Sequence, residues 1–166
     1  MKESEAKKIG SNLALKSILI GLLIAQCIMT LFASDSGIIK AIFWFTDFDY
    51  IFNILFAVIV SITVSHFFGK TAGKRILINK NNEYLIGILT GFAILIVSSF
   101  ISSWVGFFQE GIDNVGTHDD PFNDYIFKPV YVVTFFGFIP VLIVGSWYGR
   151  QIKKHAKEGN PADNNK

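Results

Sequence analysis

Four long apolar stretches separated by polar segments set the plan of the chain. They are Leu13–Ala33, Ile51–Phe68, Tyr84–Phe108 and Pro129–Tyr148, and Lys16 is the sole formal charge within them. About 20 apolar residues in a helix cross a hydrocarbon layer of ~30 Å. The pattern therefore predicts an all-α membrane protein: four transmembrane helices, arranged as two antiparallel hairpins and packed in a bundle. Around the membrane domain (13–149) lie a polar amino terminus (1–12) and a basic, largely disordered tail (150–166), with its polar end at Asn160–Lys166.

The polar segments differ in character. Ser34–Tyr50 carries Asp35, Asp47 and Asp49 around an apolar piece, Ile38–Phe45, which reads as a helix on the membrane surface or a loop against the bundle. Trp44 suits the headgroup layer there. Gln109–Phe127 reads as an acidic loop. His66–Arg75 reads as a basic turn joining the hairpins. Pro129 fits a first helical turn, where its missing N–H costs nothing. Pro140 should bend the last helix near Gly137.

Charge then orients the plan. Thirteen of the 15 lysines and arginines fall in the amino terminus through Lys16, the central segment and the carboxy tail. Only Lys40 and Lys128 lie in the two acidic loops. Positive-inside bias of this size predicts both termini and the central segment in the cytoplasm, in a plasma (inner) membrane of bacterial type. With 17% charged residues against 51% apolar, lipid rather than water is the expected solvent. A net charge of +2 gives no nucleic-acid footprint.

Two processing signals are poorly matched. The first apolar stretch is longer than a signal-peptide core, and Leu31–Phe32–Ala33 is a poor cleavage site. Cys27, the single cysteine, follows Gln26, too large for a lipoprotein box, so it reads as a packed helical residue.

An internal parallel repeat is compatible with the sequence. Ile18–Leu19–Ile20–Gly21–Leu22–Leu23 resembles Tyr84–Leu85–Ile86–Gly87–Ile88–Leu89, and Phe67–Phe68–Gly69–Lys70 resembles Trp147–Tyr148–Gly149–Arg150. Small residues also recur four apart: Ser17, Gly21 and Ala25; Ala57, Ser61, Ser65 and Gly69; Gly87 and Gly91; Gly145 and Gly149. Such ridges let helix backbones approach in lipid.

Candidate chemistry is sparse. Gly69–Arg75 superficially resembles a phosphate-binding loop, but its glycine spacing is one residue short and no strand precedes it. Lys70, Lys74 and Arg75 beside Phe67 and Phe68 suit anionic lipid headgroups instead. His118, Asp119, Asp120, Asn123 and Asp124 could supply oxygens to a hard cation across Asp113–Asp124, yet match no calcium-loop spacing. His66 reads as an interfacial histidine. Gln26, Thr30, Ser98, Ser99, Ser102 and Ser103 could line a polar path or bond back to their own helices. No Asp, Glu or Arg lies at mid-depth, against proton-coupled transport, voltage sensing or intramembrane hydrolysis. No catalytic set, cofactor site or metal site is expected. The leading expectation is a non-enzymatic protein acting through protein contacts, as an accessory subunit or immunity-type protein, with a membrane partner or a second copy. A small oligomeric transporter or channel is the alternative. A lipid-acting enzyme ranks third, because His66 and the acidic loop lie on opposite faces.

Overall fold

Polar residues carry three of the four helices well past their apolar stretches. In the computed structural model, which describes residues 1–32, 37, 42–43, 48–116 and 120–158, α1 runs over Glu3–Phe32 and α2 over Phe48–Leu77. The next two are α3, Glu83–Gly106, and α4, Lys128–Glu158. All four are long and apolar enough to cross a membrane, and no strand is present among the described residues. The chain is a multi-pass membrane protein with an all-α four-helix bundle. Helix α1 pairs with α2 and α3 with α4, while α2–α3 and α1–α4 contacts join the hairpins.

Three boundaries differ from the sequence expectation. The segment His66–Arg75 is not a turn but the last part of α2. It contains no proline, Lys70, Ala72, Lys74 and Arg75 favour helix, and Gly69 and Gly73 are used for packing. The real turn is Ile78–Asn82. There Lys80 takes a left-handed φ of 55°, and the Asn82 side chain caps α3 by accepting from Tyr84 N–H at 3.0 Å and Leu85 N–H at 3.1 Å.

The basic stretch after Gly149 likewise stays helical to Glu158. The acidic loop is also partly helical, with π turns at Phe107–Gly111 and Asn123–Phe127 and a 3-10 turn at Ile112–Asn114. Asp120 starts the second of these helical runs: its carboxylate accepts from Asn123 N–H at 3.2 Å, and Pro121 follows in the position where proline is best tolerated. The wide turn falls directly before Pro129. An α-helical register would set the pyrrolidine ring against the Tyr125 carbonyl. Helix α4 then continues through Pro140. The expected surface helix falls mostly outside the described residues, as do Trp44, His118, Asp119 and the terminal segment Asn160–Lys166.

Glycines hold each hairpin together. A Cβ on Gly10 would lie 2.2 Å from the Gly69 carbonyl oxygen and 2.7 Å from Gly73 Cα. In the second hairpin, a Cβ on Gly87 would lie 2.2 Å from the Gly145 carbonyl oxygen and 3.0 Å from Gly149 Cα. Gly73 meets the Ala6 carbonyl as Gly149 meets that of Glu83. The two hairpins thus make matching glycine contacts. The register of these contacts differs from the sequence match: Gly69 through Ile76 stands where Gly145 through Ile152 does, and Gly10 rather than Gly21 stands where Gly87 does. Gly21 has nothing within 4 Å of a Cβ placed on it.

One buried cluster gathers at the same end. Leu13, Ala14, Ala72, Ile76, Ile86, Tyr148 and Ile152 form one cluster, with Ile9 and Leu77 packed against it. The Tyr148 hydroxyl crosses from the second hairpin into the first, donating to the Gly10 carbonyl at 3.1 Å. Toward the other end α1 and α4 turn apolar side chains outward, with Leu31 at 74% and Phe135 at 77% exposure, while Phe107 and Ile126 are buried there.

Candidate functional site

The close approach of Gly10 to Gly69 and Gly73 brings α1 and α2 into contact along one line. Side chains flanking that line splay apart and leave a groove. Ser4, Lys7, Lys8, Ser11 and Asn12 of α1 line it, with His66, Phe67, Lys70 and Thr71 of α2. Helical spacing explains the set: Ser4, Lys8 and Asn12 are four apart, as are Lys7 and Ser11, His66 and Lys70, and Phe67 and Thr71.

At the bottom of the groove, Ser11 Oγ and His66 Nδ1 share a 2.6 Å hydrogen bond between the two helices. Ser11 is only 2% exposed. A Ser11 hydroxyl that donates to Nδ1 leaves the Nε2 side of the ring as a donor. His66 is thus a cross-helix partner as well as a residue at the end of an apolar span. Lys70 Nζ stands 5.9 Å from the Phe67 ring centroid, within cation–π range.

The expected headgroup residues are not brought into one place. Lys70 lines the groove, whereas Lys74 bonds Glu3 at 2.9 Å and Arg75 is exposed outside the groove. Lys7 and Lys8 complete the cationic lining, although in the sequence their charge reads only as an orientation signal. Their spacing with Ser4, Ser11 and Asn12 on a helical face is the clue that points to the groove.

Lys7 and Lys74 beside Glu3 hold its carboxyl well below the usual range, at about 2 from an ordinary 4.5, through hydrogen bonds first and charge second. Glu3 precedes the apolar part of α1 and is exposed to water. A folded-state value below the unfolded one means the pairing contributes above the unfolded value and is lost as pH falls through the folded one. A carboxyl carbon NMR titration in micelles should therefore read a Glu3 midpoint near 2. Lys74→Met should move it upward, and a wild-type midpoint at the ordinary carboxylate value would refute the pairing.

The other candidates fare differently. Ser99 and Ser103 donate back to carbonyls of α3 at 3.0 and 2.7 Å. Gln26 donates to the Ile42 carbonyl at 2.9 Å and to Thr30 at 3.4 Å, tying α1 to the segment after it. The Oγ atoms of Ser98 and Ser102 and Oδ1 of Asn53 are buried without a hydrogen-bond partner. Of the acidic group, Asp120 caps a helix and Asp124 pairs with Lys128. No cluster of three or more potential metal ligands occurs among the described residues. Cys27 is exposed on α1 rather than packed. No family model matches the chain, and no curated protein or solved structure shows significant similarity to it.

Proposed function

We propose that the protein is a non-enzymatic multi-pass component of a bacterial-type plasma membrane, with both termini cytoplasmic, that acts by binding another membrane protein as an accessory or immunity-type subunit. The observation that carries this reading is the uneven packing of the bundle. Glycine contacts and the Tyr148 bridge fasten the basic end, whereas no residue in the most apolar window of α1 is buried. Leu23, Leu31 and Phe32 of α1 and Phe52, Leu55 and Phe56 of α2 stay exposed. Such a firm base with outward-facing apolar helices suits docking against transmembrane helices of a partner, where close packing rather than hydrophobic transfer supplies the affinity.

Photo-cross-linking groups at Leu23 and Phe56, followed by purification in mild detergent, test the reading. A discrete heterologous adduct at either position is expected. Absence of any adduct, together with solute flux in liposomes holding the protein alone, would reject it.

One observation favours a small oligomeric transporter or channel as the second reading. The unpartnered Ser98, Ser102 and Asn53 atoms are costly in a dry helix bundle and acceptable where water reaches them. Cross-linking that yields only monomers would count against this alternative.

A further inference from the structure

We infer that the groove between α1 and α2 binds the phosphate of an anionic membrane lipid. The site is independent of the protein-contact reading, since it lies at the basic end and needs no partner. Three observations combine. The groove has a volume of about 610 Å³, within the range of small-molecule sites. Its lining holds Lys7, Lys8 and Lys70 with the hydroxyl, amide and imidazole groups of Ser4, Ser11, Thr71, Asn12 and His66, and no carboxylate among the described residues. Glu3 engages Lys7 at 2.7 Å, while Lys8 and Lys70 make no ion pair among the described residues. The lining therefore presents surplus positive charge and several donors, the complement of a phosphate.

Position selects a lipid as the source of that phosphate. The groove lies where α2 leaves its apolar stretch at Phe68 and α1 enters its own at Leu13. The exposed Phe67 ring stands on its wall. A headgroup phosphate would meet the lysines while its acyl chains run along the lipid-facing sides of the helices. A free phosphate would gain nothing from Phe67. The Ser11–His66 bond fixes the bottom of the site, so with Ser11 donating to Nδ1 the His66 Nε2–H there is pre-set rather than ordered on binding.

Native mass spectrometry of the full chain in mild detergent, titrated with phosphatidylglycerol and phosphatidylcholine, tests the inference. Wild type should retain phosphatidylglycerol preferentially, and Lys8→Gln/Lys70→Gln should weaken that retention roughly tenfold. Lys8→Arg/Lys70→Arg should keep it. Arg150→Gln/Lys154→Gln removes equal charge from the same end outside the groove and should change retention by no more than about twofold. Glycerol phosphate at the lipid's concentration should not compete. Equal losses in the two glutamine pairs would reduce the binding to bulk charge and overturn the site. Competition by glycerol phosphate would overturn the assignment to lipid, and full retention in Lys8→Gln/Lys70→Gln would overturn both.

Discussion

Gly10→Val should pull α1 away from α2 and destabilise the bundle by at least about 3 kcal/mol, the upper end of what an overpacked site costs. The added carbon has nowhere to go, because the nearest atom is backbone: the Gly69 carbonyl oxygen, 2.2 Å away. Relief requires the helices to separate, which also parts Ser11 from His66 and the Gly10 carbonyl from Tyr148. Gly149→Val should behave alike, since its Cβ would sit 1.9 Å from the Glu83 carbonyl oxygen. Gly21→Val is the internal comparison. It faces open space, adds lipid-facing apolar surface, and should change stability by under about 0.5 kcal/mol. Equilibrium unfolding in mixed micelles measures all three, and a Gly10→Val protein as stable as Gly21→Val would show that the glycine contacts do not hold the hairpin.

Tyr148→Ala should cost about 3–5 kcal/mol, the usual range for emptying a buried aromatic site. Tyr148 is 2% exposed and packs in the cluster with residues from all four helices. Tyr148→Phe keeps the ring and removes the hydroxyl that reaches Gly10, so about 1 kcal/mol is expected. The same unfolding measurement separates the two contributions. Equal losses in the two variants would mean the hydroxyl, not the ring, joins the hairpins.

The number and order of the spans are legible in the sequence because charge is nearly absent from them. A run of span length without charge is rare in a chain solvated by water. Helix ends are not legible from the same signal. Hydropathy marks where lipid begins, whereas the helix continues while no residue stops it, as through His66–Leu77 and Arg150–Glu158. The packing ridge of α1 is hidden for a related reason. Ser17, Gly21 and Ala25 lie in the apolar stretch, yet the ridge in use is Ala6, Gly10 and Ala14, largely outside it. In a lipid-facing helix apolar periodicity does not distinguish the packed side from the free one. The Asp120–Pro121 pair is a readable helix start, obscured by the acidity around it. The groove is half legible: Lys70 stands out beside Phe67, but Lys7, Lys8 and Ser11 acquire a shared site only because α1 begins as early as Glu3.

The position of the core has a consequence for the forces that hold the molecule together. A 30-residue helix such as α1 or α2 is roughly 45 Å long, well beyond the ~30 Å hydrocarbon thickness. The surplus projects at the basic end. Ala6, Ala72, Ile76 and Ile152 are buried there, outside the apolar stretches and at the level of headgroups and water. Within hydrocarbon, bringing apolar side chains together removes no water and gains little. At this end it does remove water, so the ordinary driving force of soluble-protein folding acts on these residues. The protein is therefore a hybrid in its energetics, with a small water-driven core standing on helices whose remaining length lies in hydrocarbon.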